Sequence, residues 1–88
     1  MEFEWDADKS RRNERLGRPS FLEATAAFAD TGRKDLPDLR RDYGEERFNT
    51  FGRIEGRLVV VTWTWRGSTI RIIAARRANA REERRHGD

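Results

Sequence analysis

The chain is short, with 88 residues, of which 40% are charged and 35% apolar. That length predicts one domain, residues 1–88, with a modest core and marginal stability. Three Trp and five Phe argue against a disordered chain. The absence of Cys excludes disulfides and thiolate metal sites, and a single His, His86, disfavours a Ser-His triad or a histidine metal site.

The sequence lacks the features of a membrane or secreted protein. No apolar run has the length of a membrane span, and the N-terminal residues are acidic rather than those of a signal peptide. We therefore expect a cytoplasmic protein that does not contact a membrane.

Positive charge is concentrated in the second half of the chain. Residues 47–88 contain ten Arg and four acidic residues, a net charge of 10 − 4 = +6, and all but two of the 19 cationic residues in the chain are Arg. Guanidinium groups bind phosphate through paired hydrogen bonds and stack on bases, so this bias favours a nucleic-acid partner. The alternative is ordinary solvated surface encoded by a GC-rich genome.

The first third of the chain predicts a strand and two helices. Met1–Trp5 alternates apolar with acidic residues, as a half-buried strand does. Asp6 is a suitable N-cap for a polar helix that extends to about Leu16 and ends at Gly17. Because this helix has few apolar residues, we expect it to lie shallowly on the sheet through Ala7 and Leu16, or to contact a partner.

The second predicted helix faces the core. Ser20 and Glu23 have the spacing of a capping box, in which each side chain accepts a hydrogen bond from a free backbone N–H at the helix start. An apolar stripe follows at i, i+3, i+4 and i+7, formed by Phe21, Ala24, Thr25 and Phe28. The helix should end near Asp30.

The rest of the chain predicts an antiparallel meander. Leu36–Leu39 fits a short edge strand, where Pro is tolerated, and Arg47–Ile54 alternates as a strand does. Leu58–Arg77 contains two β-branched and aromatic runs around a turn at Arg66–Ser68, which is typical of a β-hairpin at the centre of a sheet. Asn79–Arg85 begins with a second capping-box spacing and predicts a short basic helix.

This order predicts an α+β fold with an N-terminal strand, two helices, an antiparallel β-meander of three or four strands and a short C-terminal helix. The helices should cover one face of the sheet. Strict alternation along the last strand places Ile70 and Ile72 on one face together with Ala74, and places Arg71 and Arg77 on the opposite face.

Arginines on neighbouring strands are the candidate phosphate-binding groups. Arg76 lies on the other face from Arg71 and Arg77 by this alternation, and Arg47 and Arg53 come from the predicted strand Arg47–Ile54, taken as a neighbour of the last strand. Adjacent strands lie about 4.8 Å apart, so guanidinium groups from two strands can converge on one phosphate. The alternatives are an ion pair for Arg71 and a solvated pair for Arg76 and Arg77.

Four further candidates come from outside the hairpin. Lys9 and Arg12 are three residues apart on the polar helix and share one face, so they either flank RNA or form solvated surface. Glu46 is a candidate general base, or else the ion-pair partner of an arginine such as Arg71. Arg81 belongs to the predicted C-terminal helix, where it would contact phosphate nonspecifically or contact a protein partner.

Segments of the chain, in order, resemble the BrnT family of bacterial type II toxins. The resemblance covers nearly the whole chain, and its most specific pieces are Trp5-Asp6 with Lys9 and Asn13, the helix from Phe21 to Phe28, Gly44-Glu45 ahead of Arg47, and the strand Ile70–Arg76. The chain departs from the family pattern at Arg15-Leu16-Gly17, where members commonly carry Lys-His-Gly.

The resemblance implies a small ribonuclease toxin with a RelE-like fold. It also implies a cognate BrnA antitoxin that carries a ribbon-helix-helix DNA-binding module, with which the toxin represses its own operon. Operator DNA would then be bound only through the toxin–antitoxin complex.

On this basis we expect an endoribonuclease that uses the RNA 2′-hydroxyl as its nucleophile and needs no metal or cofactor. Such a reaction requires a base, cations beside the developing phosphorane charge and an acid for the leaving 5′-oxygen. The expected catalytic residues are Arg71, Arg76, Arg47, Lys9 and Glu46. The expected RNA-binding residues are Arg12, Arg53, Arg77 and Arg81.

Two other functions fit the sequence. Leu16 in place of the family His favours a catalytically weakened relative that acts through antitoxin pairing and operon repression. A general RNA-binding domain unrelated to toxins would bind RNA in a salt-sensitive manner without cleaving it.

Overall fold

The structure is a computed structural model that describes residues 1–40 and 42–87; Arg41 and Asp88, the last residue of the predicted domain, lie outside the described residues. The strands are β1 (Glu2–Trp5), β2 (Lys34–Pro37), β3 (Phe48–Ile54), β4 (Arg57–Arg66) and β5 (Thr69–Arg77). The helices are α1 (Ala7–Arg15), α2 (Phe21–Ala24), its 3₁₀ continuation (Thr25–Ala29), and α3 (Ala80–His86). The predicted α+β order is confirmed, with an edge strand that begins at Lys34 rather than Leu36.

The five strands form one sheet in the order β1-β5-β4-β3-β2. Strands β2 to β5 are the antiparallel meander that the sequence predicts, and β1 adds to β5 in parallel. The β1 pairing ends at Trp5 opposite Ile72. The second half of β5 therefore has no strand on that side, and another element must satisfy its backbone groups.

One face of the sheet, here called the α2 face, carries the main core. Phe21, Ala24, Ala27 and Phe28 pack against the buried side chains of β4 and β5. The predicted capping box is present, since the Glu23 amide donates to Ser20 Oγ at 3.0 Å and the Ser20 amide donates to Glu23 Oε1 at 2.9 Å. Gly52 permits close packing, because a Cβ there would lie 2.6 Å from the Ala27 carbonyl oxygen.

The opposite face, the α3 face, carries a smaller apolar cluster of Phe51, Leu58 and Val60. Helix α3 lies against it, with the His86 ring 4.1 Å from that of Phe51, although none of the helix residues is buried. The expectation that all helices cover one face is therefore wrong. The C-terminal helix crosses to the other side because β5 delivers the chain to the end of the sheet where this cluster is uncovered.

A β-bulge changes which arginines share a face. Thr62 pairs with Ala74 and Trp63 pairs with Ile72, so Ile73 is an extra residue on β5. Beyond it, Arg76 lies opposite Val60 on the α3 face, and Arg77 lies opposite Val59 on the α2 face. The predicted alternation is therefore wrong after Ile73.

The bulge changes the grouping of the arginines of β5. Arg71, opposite Thr64, shares the α3 face with Arg76, and Arg77 lies on the other face. The extra residue shifts the two-residue alternation by one position. Nothing in the Ile-Ile-Ala-Ala composition of this segment distinguishes a regular strand from a bulged one.

Helix α1 is held by buried polar side chains. Ser10 and Asn13 are buried, whereas Ala7 and Leu16 are exposed. The Asn13 amide donates to the Ala75 carbonyl at 2.7 Å and to the Pro19 carbonyl at 2.9 Å, and Ser10 Oγ accepts a hydrogen bond from the Phe21 amide. The expectation that the helix packs through Ala7 and Leu16 is wrong, because hydrogen bonds to the open edge of β5 replace apolar burial.

Substitution of Asn13 by Ala should lower the free energy of unfolding by about 2–4 kcal/mol, since it leaves two carbonyl groups without a donor. Substitution by Asp should cost at least as much, because a carboxylate cannot donate to a carbonyl. Urea titration of both variants measures the loss. Exposed Arg11 is the control, and its Ala variant should change stability by less than about 0.5 kcal/mol. Equal stabilities for the Asn13 and Arg11 variants would contradict this account of α1.

Candidate nucleic-acid interface

A basic cleft lies between α1 and the bulged half of β5. Its volume is about 240 Å³. We call it the α1–β5 cleft, and it is lined by Lys9, Arg12, Asn13, Arg18, Phe21, Val60, Thr62, Ile73, Ala74, Ala75 and Arg76. It brings together three of the predicted site residues, Lys9, Arg12 and Arg76.

The position of α1 explains why Lys9 and Arg12 line this cleft. Asn13 fixes the helix against Ala75, and Arg12 and Lys9 are one and four residues before it, within about one turn. Neither Lys9 nor Arg12 makes an ion pair with another described residue. Both charges are therefore available to an anionic ligand.

Arg76 is held in place by α3. Its Nη1 and Nη2 atoms donate to the two carboxylate oxygens of Glu82 at 2.7 and 2.8 Å. These hydrogen bonds raise the pKa of Arg76 and lower the pKa of Glu82 to about 2. Burial and the nearby charge of Arg40 oppose this rise in the pKa of Arg76. Arg76 is thus held in a fixed orientation in its charged form. The adjacent Glu82 carboxylate offsets part of that charge.

Arg71 lies next to β1, near the start of α1. It forms an ion pair with Glu4 at 3.0 Å, directly across the β1–β5 pairing. Its charge also contributes to the lowered pKa of Asp6, although the larger causes are hydrogen bonds from the Lys9 and Asp8 amides. The ion pair predicted as the alternative for Arg71 is confirmed, but its partner is Glu4 rather than Glu46.

Arg53 lies on the α3 face at the end opposite Arg71, beside the β3–β4 turn. Its guanidinium donates to Glu83 at 2.7 Å and to the Gly56 carbonyl at 3.0 Å, and it also bonds the Gly87 carbonyl. Arg53 and Arg76 therefore bind neighbouring glutamates of α3. The structure does not bring the arginines of β3 and β5 together at one open position.

Glu46 and Arg47 lie in a different cleft, of about 340 Å³, beside the loop that precedes β3. The Arg47 Nε atom is 3.0 Å from a Glu45 carboxylate oxygen, and its guanidinium lies 4.0 Å from the Tyr43 ring centroid. The Glu46 carbonyl accepts a hydrogen bond from Thr64 Oγ1 at 2.6 Å. Neither residue lines the α1–β5 cleft.

The two remaining candidates are also separate from the cleft. Arg77 is exposed on the α2 face, where it donates to the Gly17 carbonyl at 3.1 Å. Arg81 is exposed on α3 and makes no ion pair with a described residue. The grouping of Lys9 and Arg12 with Arg76 depends on how α1 meets β5, which the sequence pattern does not reveal.

Two cleft residues were missed by sequence reasoning. Asn13 was noted only as part of the family resemblance, and no feature of the surrounding polar residues marks it as the buried one. Arg18 precedes Pro19 in the α1–α2 connection, and no sequence pattern distinguishes it from the other exposed arginines. Among the described residues no group of three His, Asp or Glu is placed to hold a metal ion.

The loop before β3 is stabilised by a buried carboxylate. The Asp38 side chain is fully buried, and it accepts hydrogen bonds from Arg40 Nε and Nη2, both at 2.9 Å, and from the Tyr43 hydroxyl at 3.2 Å. The hydrogen bonds from Arg40 lower the pKa of Asp38 to about 2, against the opposing effect of burial. The ionised form of Asp38 therefore stabilises the fold.

The Asp38–Arg40 pair should make the free energy of unfolding depend on pH in the acid range. Because the pKa of Asp38 is lower in the folded chain than its model value of 3.8, its contribution is complete above about pH 4 and is lost as the pH falls towards 2. We expect a contribution of about 1–2 kcal/mol, reduced by the solvent exposure of Arg40. Thermal unfolding from pH 2 to 7 should show a shallower acid decline for Asp38→Asn than for the Glu14→Gln control. Identical declines would contradict this assignment.

Two comparisons bear on the identity of the chain. A family model described as "Ribonuclease toxin, BrnT, of type II toxin-antitoxin system" matches residues 5–82. The match includes every residue that lines the α1–β5 cleft. No curated protein matches the sequence. No helix among the described residues is long and apolar enough to cross a membrane.

Proposed function

Since the chain belongs to the BrnT family of ribonuclease toxins from type II toxin–antitoxin systems, we propose that it is an endoribonuclease whose active site is the α1–β5 cleft. The observation that carries this assignment is the convergence of Lys9, Arg12 and Arg76 from two separate elements on one cleft. A phosphodiester of single-stranded RNA matches that charge.

The proposed reaction is attack of the RNA 2′-hydroxyl on the adjacent phosphorus without a metal ion. The 2′-oxygen forms a bond to phosphorus and loses its proton to solvent, and the bond to the 5′-oxygen breaks. The products are a 2′,3′-cyclic phosphate and a free 5′-hydroxyl. Negative charge accumulates on the phosphorane oxygens, and preorganised cations are the groups that stabilise such charge.

Each cation has a proposed role that follows from its setting. Arg76, held by Glu82, presents a fixed guanidinium to the phosphorane. Arg12 adds a second positive charge from α1. Lys9 is the proton donor to the leaving 5′-oxygen, because an ammonium is a stronger acid than a guanidinium.

No carboxylate or imidazole is among the described residues that line the cleft. We therefore propose that rate acceleration comes mainly from electrostatic stabilisation rather than from a protein base. Arg71 lies towards the start of α1, where its guanidinium would donate both to Glu4 and to a neighbouring phosphate of the RNA.

The direct test is incubation of single-stranded RNA with the protein in excess EDTA. We expect fragments that end in a cyclic phosphate, and no cleavage where the attacking 2′-hydroxyl is replaced by hydrogen. Arg76→Ala should lower kcat/KM about 100-fold, since it removes a cation that acts on transition-state charge. The control is Arg84→Ala, which removes an equal charge from exposed surface of α3. Intact RNA with folded wild-type protein would contradict the proposal.

The proposed partners follow from the family. A type II toxin is neutralised by an antitoxin, and we infer a BrnA-like protein with a ribbon-helix-helix module. Operator DNA would be bound by the complex through that module. RNA and antitoxin would meet the toxin in the cytoplasm.

A catalytically weakened toxin that acts through antitoxin pairing is the second candidate function. Two observations favour it: Leu16 occupies the exposed C-cap of α1 where the family resemblance implies His, and Glu82 offsets the charge of Arg76. The cleavage assay separates the two functions. Folded protein that pairs with an antitoxin but leaves RNA intact would establish the second.

A further inference from the structure

A second basic cavity lies outside the proposed active site. It has a volume of about 380 Å³ and lies on the α2 face, where the β3–β4 turn approaches the α1–α2 connection. We call it the turn cleft, and it is lined by Arg18, Pro19, Glu23, Ile54, Glu55, Arg57, Val59 and Arg77. Volumes of this size are typical of small-ligand sites.

Three guanidinium groups line the turn cleft. Arg18 and Arg57 are exposed and make no ion pair with another described residue. Arg77 donates a hydrogen bond to the Gly17 carbonyl and makes no ion pair with a described residue, although its charge contributes to the lowered pKa of Glu23. In contrast, Arg53, Arg71 and Arg76 are each paired with a carboxylate.

The two carboxylates of the turn cleft differ in their hydrogen bonding. Glu23 accepts the Ser20 amide at the start of α2, and that hydrogen bond lowers its pKa. Glu55 is exposed and makes no hydrogen bond or ion pair with a described residue. It lies in the turn at a φ of 50°, a conformation that non-glycine residues rarely adopt. Its free carboxylate can accept hydrogen bonds from an amino group.

Arg18 connects the two clefts. It lines both the turn cleft and the α1–β5 cleft, since it lies in the α1–α2 connection that passes the open edge of β5. Cationic side chains therefore continue from Lys9 and Arg12 through Arg18 to Arg57, around the edge of the sheet. A flexible polyanion can follow that course, whereas a rigid duplex cannot bend around one edge of so small a domain.

We propose that the turn cleft is a second RNA subsite, which binds one nucleotide of the single strand whose cleaved bond lies in the α1–β5 cleft. Arg18, Arg57 and Arg77 bind its phosphate. Glu55 accepts the exocyclic amino group of its base, a contact that cytosine offers and uracil does not. This inference rests on the proposed function for the identity of the ligand, but it concerns binding and not cleavage.

The test is equilibrium binding of 2′-O-methyl RNA, which lacks the attacking hydroxyl, to the full chain. Wild-type protein should bind a cytidine hexamer more tightly than a cytidine dinucleotide, whose single phosphodiester cannot occupy both clefts. Arg57→Ala should weaken hexamer binding about threefold to fivefold, as expected for an exposed ion pair. It should also reduce the slope of log Kd against log salt by about 0.7, the share of one phosphate on a single strand.

Two controls identify the subsite. Arg84→Ala removes one exposed charge from α3 and should leave the affinity for the hexamer unchanged. Glu55→Gln should reduce the preference for a cytidine over a uridine hexamer while leaving the salt slope unchanged. Thermal unfolding of each variant checks that the fold is retained.

The outcomes separate this inference from the proposed function. RNA cleavage with no difference between the Arg57 and Arg84 variants in hexamer binding would overturn the subsite and leave the nuclease intact. Hexamer binding that depends on Arg57 without any cleavage would support the subsite and contradict the nuclease. An Arg57 variant that binds RNA normally but loses affinity for the antitoxin would overturn the subsite and assign this surface to the protein partner.

Discussion

The arrangement of the basic surface depends on one buried amide. Asn13 binds the Ala75 carbonyl at the place where β1 has ended and β5 has no neighbouring strand. The same amide binds the Pro19 carbonyl, so it joins α1, the α1–α2 connection and the sheet edge. A polar helix with little apolar surface is thereby held without a hydrophobic stripe. Its exposed face can consist of charged residues, and that is the face that presents Lys9 and Arg12.

The bulge at Ile73 is the second constraint on this surface. Because it reverses the alternation of β5, it sends Arg76 to the α3 face and Arg77 to the α2 face. The α1–β5 cleft therefore receives Arg76 and the turn cleft receives Arg77, whereas unbroken alternation would have exchanged the two. Helix α3 adds a further difference, since Glu82 and Glu83 pair with Arg76 and Arg53, whereas Arg18 and Arg57 of the turn cleft make no ion pair with a described residue. Of the cations in the α1–β5 cleft, Arg76 alone is fixed by a described carboxylate, and the unpaired Arg18 and Arg57 of the turn cleft are suited to binding a flexible strand.

Local signals predicted most of the fold and little of the site. Capping residues and period-two alternation located the helices and the hairpin because these depend on neighbouring residues along the chain. The parallel addition of β1, the crossing of α3 to the other face and the bulge depend on tertiary packing that no local pattern specifies. Candidate residue types were therefore identifiable, but their grouping was not: Lys9, Arg12 and Arg76 share a cleft, while Arg47, Glu46 and Arg53 lie elsewhere.

The central claim is that Lys9 and Arg76, which belong to different elements, act on the same phosphate. A double-mutant cycle on kcat/KM for RNA cleavage in EDTA tests it most directly, with Lys9→Ala, Arg76→Ala and the double variant. If both groups act on one transition state, the double variant should lose clearly less activity than the product of the two single losses. If the losses multiply without coupling, the two residues act independently and the α1–β5 cleft is not one active site.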